Sequence, residues 1–213
     1  MPGTHDLALF VIAGLLLNIA PGPDSLLIMT RSAAQGWRAG SAASLGIGAG
    51  TFVHVFAAAL GLSAVLATSA TAFAVVKYAG AAYLLYVGVV LLIGTRRKAA
   101  TDRGAAPVPP LPLGKVFFQG FLTNVLNPKV AVFFLAFVPQ FIDGDAPNKA
   151  LAFIALGTVF NVNSMLWCHF LALSTALASR RMRVSPGLAR WIERGIGAMF
   201  VSFGIKLALA ERH

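Results

Sequence analysis

Two apolar stretches, one in each half of the chain, are interrupted at their middles by a proline with a charge directly after it: Gly22-Pro23-Asp24 and Asn127-Pro128-Lys129. A proline has no N–H and clashes with the carbonyl one turn back, so each stretch must divide there into two half-helices. An ionisable side chain inside an apolar span is costly and marks a functional site. Matching interruptions in the two halves of a membrane chain point to a binding site between them.

The rest of the composition says which solvent these stretches face. Of 213 residues, 58% are hydrophobic and 11% charged, less than half the charge of an ordinary soluble domain. Apolar runs long enough to cross a bilayer recur over residues 7–30, 40–67, 70–94, 115–142, 149–178 and 191–210. The N-terminal run has no Lys or Arg before it, so it reads as a first span and not as a cleaved signal peptide. The net charge of +10 is distributed by loop. Arg31 and Arg38 lie between the first two runs. Arg96, Arg97, Lys98, Arg103 and Lys115 follow the third, and Arg180, Arg181, Arg183, Arg190 and Arg194 follow the fifth. The other connections are neutral, or hold Asp143 and Asp145 against Lys149. The positive-inside bias places the basic loops in the cytoplasm and both termini outside. Nucleic acid is excluded as a partner, because no soluble basic face exists to meet it.

The order of features repeats. Gly50-Thr51-Phe52-Val53-His54 matches Gly157-Thr158-Val159-Phe160-Asn161, and Ser63 to Ala67 matches Ser174 to Ala178. Three spans per copy is an odd number, so the second copy enters the bilayer from the opposite side. The expected fold is an all-α integral membrane protein of six transmembrane helices in two inverted three-helix repeats, the first helix of each broken by proline. Residues 1–95 form one repeat and residues 115–213 the other. Residues 96–114 are a basic, Pro-rich cytoplasmic linker, semi-rigid because such runs favour polyproline II.

At the breaks, Asn127 is a good N-cap for a half-helix beginning at Pro128, and Gly22 is a weaker one before Pro23. The half-helix N-termini and Lys129 suit a carboxylate, and Asp24 suits an ammonium or a proton. Together they match a zwitterion; the plainer reading is that Asp24 and Lys129 only neutralise each other. Gly22, Pro23, Asp24, Asn124, Asn127, Pro128 and Lys129 are therefore the expected substrate-binding residues. His54 and Asp24 are the proton-coupling candidates, His54 because it titrates near neutral pH; the alternative for His54 is a hydrogen bond to a neighbouring helix. Asn18 and Asn124, one turn before the breaks, are expected to satisfy freed carbonyls or to join helices. Thr51, Asn161 and Asn163 supply further polar support. Cys168-His169 lacks metal-ligand spacing and no other ligand set exists, so neither metal nor cofactor is expected. Gly36/Gly40 and Gly46/Gly50 read as close helix packing more than as a dimer seam, leaving a homodimer open. Lys77, Tyr78, Tyr83 and Lys206 read as snorkelling or interfacial-belt residues.

These residues resemble the LysE/RhtB amino-acid exporters over nearly the whole chain. The likeness rests on Ala20-Pro21-Gly22-Pro23, Gly50-x-x-x-His54 with Leu60-Gly61-Leu62, Lys77-x-x-Gly80-Ala81-Ala82-Tyr83-Leu84, Asn124-x-x-Asn127-Pro128-Lys129 and Phe137-Val138-Pro139-Gln140-Phe141. The resemblance implies a carrier of the bacterial inner membrane. It would export amino acids or close analogues, of the homoserine/threonine type more than the basic type, in exchange for protons. One departure stands out: many members carry an acidic residue where this chain has Thr51, so coupling here would fall to Asp24, His54 or the substrate. Two other classes compete. A carrier of metal or organic cations predicts more than one carboxylate deep in a span, and only Asp24 is there. An intramembrane enzyme needs a His-Glu-x-x-His, a Ser/His pair or twin aspartates, and the two glutamates, Glu193 and Glu211, lie at span margins.

Overall fold

The computed structural model describes residues 3–62 and 109–178, and singly residues 71, 75, 78, 81, 82, 85, 86, 89, 198, 201, 202, 204, 205, 208 and 209. The described residues are helical apart from short connections and one isolated bridge between Thr4 and Ile142. Most of the third and sixth apolar runs, the basic clusters at residues 96–103 and 180–194, the match of Ser63 to Ala67, and Lys77, Tyr83 and Lys206 lie outside them.

Helix α1 (Leu7–Ile19) and helix α2 (Pro23–Gln35) are one apolar run bent by 56° at the first break. Helix α3 (Trp37–Ala57) follows after the single residue Gly36 and continues as a widened π turn, Ala58–Leu62. Gly36 has φ +81°, a left-handed conformation that suits glycine, which is why the chain can reverse there in one residue. Helix α4 (Leu113–Val125) and helix α5 (Pro128–Val132) form the second broken run, bent by 48°. Helix α6 (Lys149–Ala178) is unbroken. Helices α3 and α6 are each long and apolar enough to cross a membrane, and each broken pair passes the same test as one span. This is a multi-pass membrane protein.

The structure adjusts three of the runs. The first run continues through Gln35 and not to residue 30, so Arg31 belongs to a helix and not to a loop. The second run begins at Trp37 rather than residue 40. The fourth run does not proceed as a regular helix: after Val132 it widens into a π turn, Phe133–Phe137, and tightens into a 3-10 turn, Val138–Phe141. Pro139 brings no N–H to that stretch, so the regular ladder cannot run through it.

Packing follows residue size. Across α3 and α4, a Cβ on Gly46 would collide with the Phe117 carbonyl, and one on Gly120 with the Ala43 carbonyl, so the two backbones touch. The Gly46/Gly50 spacing thus serves a seam within the chain. Around the second break the aromatic rings fill the core: Phe133 lies 4.8 Å from Phe160 and 5.2 Å from Phe137, centroid to centroid, and Phe10 lies 5.3 Å from Phe141. These rings sit among the buried residues of α1, α5 and α6.

The two ends of the bundle are tied differently. At one end His5 N–H donates to the Phe141 carbonyl (3.1 Å), Asp143 N–H donates to the Gly3 carbonyl (3.0 Å), and His5 Nδ1 meets Asp143 Oδ1 at 2.7 Å. At the other, Arg31 on α2 is 7% exposed. It donates to Gln119 Oε1 through Nε (3.2 Å) and Nη2 (2.9 Å), and through Nη1 to Gln35 Oε1 and the Pro109 carbonyl (both 3.3 Å). Gln35 Nε2 adds a bond to the Leu111 carbonyl (2.9 Å). Thus residues 3–6 share an end with residues 141–146, while Arg31 shares the opposite end with the close of the Pro-rich linker.

Candidate functional site

The first break begins at Pro21, which cannot bond the Leu17 carbonyl one turn back. Gly22 is extended and Pro23 opens α2, so the Ala20 carbonyl also loses its helical partner. Lys129, from the other half of the chain, takes both: its Nζ donates to Leu17 O and Ala20 O, each at 3.0 Å. Room for the ammonium exists because Gly22 has no side chain, and a Cβ there would lie 3.1 Å from Nζ.

The second break is completed the same way in reverse. Pro128 cannot bond the Asn124 carbonyl, which accepts instead from Asn127 N–H and from His54 Nε2 on α3, each at 2.9 Å. Asn124 is 1% exposed. Its side-chain Nδ2 donates to Asp24 Oδ2 at 2.8 Å, and its Oδ1 accepts from Thr51 Oγ1 at 3.4 Å. Thr51 shares its single hydroxyl proton between that Oδ1 and the nearer Ile47 carbonyl (3.1 Å), and His54 stacks parallel on Phe134. Thr51 and His54, three residues apart on α3, therefore act on the same partner.

Asn127 caps α5 as expected, its Oδ1 accepting from Lys129 N–H at 3.0 Å. That cap carries a correction. Pro128 has no N–H, and the Val130 and Ala131 amides both donate to the Asn127 carbonyl (3.1 Å), so α5 offers no free amide to a carboxylate. Helix α2 differs: Leu26 N–H donates to the Gly22 carbonyl, while Asp24 and Ser25 N–H have no partner among the described residues. Nor do Asn18 and the Asn124 side chain satisfy the freed carbonyls: Lys129 and His54 do, because a long side chain from the opposing half reaches an acceptor that a local asparagine does not.

Asp24 and Lys129 do not form an ion pair; among the described residues the one ion pair is His5–Asp143. Asp24 bonds an amide and Lys129 bonds carbonyls, so the two charges act on each other without direct contact. Both line a small cavity with Leu17, Asn18, Ser25, Ile47, Thr51, Asn124, Val130, Phe160, Ser164 and Cys168. Its space, about 20 Å³ for the centres of water molecules, holds about one water and no amino acid. Asp24 Oδ1 and Asn18 Nδ2 are buried without partners.

Asn161 and Asn163 do not join this group. They are two residues apart on α6 and so face different ways. Asn163 Nδ2 donates to the Val11 carbonyl (3.0 Å), and Asn161 lies against Gly48 of α3. Ser164 and Cys168 take the place expected of them, one turn apart on α6, with 3.8 Å between Oγ and Sγ. A search of α6 for small polar residues at helical spacing would have found that pair. Among the described residues no group of His, Cys, Asp or Glu could hold a metal ion.

Membrane-length helices broken by proline, with polar groups from both halves meeting at the breaks, define a multi-pass membrane carrier. Comparison with known proteins gives the family. The chain matches the LysE type translocator model over residues 15–211 and belongs to that family. It is a transporter and not an enzyme. An uncharacterized membrane protein of Pseudomonas aeruginosa is 33% identical over 209 residues, 98% of this chain and 97% of the relative. Leucine efflux proteins of Salmonella typhimurium and Salmonella typhi are each 31% identical over 203 residues, covering 95% of this chain and 94% of theirs. No solved structure matches.

Proposed function

We propose that the protein exports neutral amino acids across the bacterial inner membrane by alternating access, in exchange for protons. The observation that carries this reading is the cavity where the two breaks meet, with Asp24 Oδ1 unpartnered and Lys129 beside it. Asp24 takes the substrate ammonium or the driving proton. Lys129, which has a third N–H to give, and the free amides of Asp24 and Ser25 take the carboxylate. Leu17, Ile47, Val130 and Phe160 form an apolar wall for the substrate side chain. That wall, with the leucine efflux relatives, favours an aliphatic substrate; Thr51 and Ser164 leave room for the hydroxyl of homoserine or threonine.

The cavity is too small for any of these, so this conformation is an occluded one, and transport requires the two halves to separate. Two inverted three-helix repeats rocking about the breaks, with the basic loops in the cytoplasm, supply that motion.

The test is efflux of labelled leucine, threonine, homoserine and lysine from reconstituted vesicles, with and without a pH gradient. Wild type exports the neutral substrates, faster with the gradient. Asp24→Asn and Lys129→Met lose export. Normal rates and pH dependence in both variants would sink the site assignment, and transport of lysine alone would sink the substrate class.

A further inference from the structure

We infer that His54 is a positioning residue: it holds the Asn124–Asp24 pair in place across the second helix break and carries no proton during transport. The inference rests on Asp24 being the ammonium or proton site.

The acceptor of His54 Nε2 is the Asn124 carbonyl, which has no proton of its own, so the ring must be the donor and the Nε2 proton is committed. Pro128 cannot give that carbonyl its regular helical bond, and it accepts instead from the Asn127 N–H (2.9 Å) and from the imidazole. The imidazole is therefore the second donor to this carbonyl and ties it to α3, and its parallel stacking on Phe134, with 7° between the planes, sets its tilt. His54 is not among the residues that line the cavity. It meets Asn124 at the backbone carbonyl, while the Asn124 side chain meets Asp24. A carboxamide neither gains nor loses a proton near neutral pH, so it interrupts any hydrogen-bonded path from Asp24 to the imidazole. Nδ1 has no partner among the described residues. The other titratable groups of this region are Asp24 on α2, Lys129 on α5 and Cys168 on α6, all on the cavity side of Asn124. What His54 does is hold the Asn124 backbone, and with it the Nδ2 that bonds Asp24 Oδ2 and leaves Oδ1 unpartnered.

The experiment compares wild type with His54→Leu, which removes the donor, and His54→Gln, whose amide places a donor at similar reach. Thr51→Val, which loosens Asn124 from its other side, is the milder fourth protein in case His54→Leu does not fold. Labelled leucine is the transport probe. The chain's single cysteine, Cys168, lines the cavity and reports its opening through reaction with N-ethylmaleimide. The expected result is a KM raised about tenfold in His54→Leu, the order of one lost buried hydrogen bond, with the midpoint of the pH profile unmoved. His54→Gln recovers most of that loss and keeps its response to the pH gradient, and maleimide labelling is faster in His54→Leu than in His54→Gln. A folded His54→Gln that no longer responds to the gradient overturns the inference, since that is the mark of a proton carrier. Equal labelling of wild type, His54→Leu and Thr51→Val overturns it as well. If wild type moves no neutral amino acid, the proposed function fails instead, and the labelling comparison still decides the role of His54.

Discussion

Lys129 completes the helix that Pro21 breaks: its ammonium lies 3.0 Å from the Leu17 carbonyl, an acceptor 112 residues earlier in the chain. His54 returns the service across the other break, so each half finishes the backbone of the other. Removing the ammonium leaves the Leu17 and Ala20 carbonyls unpaired in an apolar setting. Lys129→Met is expected to lower stability by about 1–3 kcal/mol as well as to stop export, and Lys129→Arg to recover stability better than transport. Thermal unfolding in detergent, run beside vesicle efflux, separates the two effects.

Gly22 makes room for that ammonium. Its backbone is extended, with φ −164°, so alanine fits the local conformation and the conflict is with Nζ alone. Gly22→Ala should push the ammonium off its carbonyls and reduce export severalfold, at a stability cost of about 1–3 kcal/mol. Efflux rate and unfolding midpoint measured on the same preparation check this.

Asp24→Asn keeps the shape and still offers an oxygen to Asn124 Nδ2, so the fold is expected to survive. What goes is the charge. Efflux should fall by at least about tenfold, the order expected from losing one charged partner, and the remainder should no longer respond to a pH gradient. Efflux at a series of external pH values reads both.

Arg31 closes the end of the bundle where the Pro-rich linker meets α4. Its partners are all neutral oxygens, so the clasp is strong enough to hold and lacks the counter-charge that would make it hard to open. Gln119→Leu should let maleimide reach Cys168 faster, and Gln119→Glu should slow both labelling and transport. Unchanged labelling in both variants would mean that the clasp is not a gate.

Along α3 and α4 the backbones meet at Gly46 and Gly120, where an added methyl would strike a carbonyl of the opposing helix. Backbone cannot step aside as a flexible side chain can. Gly46→Ala and Gly120→Ala are each expected to cost about 1–3 kcal/mol or more, and the yield of folded protein from the membrane is the readout.

The breaks were legible because proline acts locally: Pro23 and Pro128 end one helix and begin another whatever surrounds them, and Asn127 caps whatever follows it. The membrane class was legible from the apolar runs alone. The partners of the polar residues were not. Lys129 binds backbone carbonyls, which every residue has, so no sequence pattern marks Leu17 and Ala20 as its acceptors. Arg31 read as a loop charge because basic residues gather in cytoplasmic loops, yet two glutamines and the Pro109 carbonyl let a helix keep it nearly buried. Asn161 and Asn163 both read as polar support for the site, and their angular separation on α6 already forbids a common target.

The exchange of partners between the halves has a cost during synthesis. The first broken helix enters the membrane with the Leu17 and Ala20 carbonyls open and Asp24 without Asn124, and Lys129 is not yet made. At 5–20 residues per second, the 112-residue separation from Leu17 to Lys129 leaves them so for roughly 6–22 s. For that interval the nascent chain must be sheltered by the insertion machinery or by water held at the break.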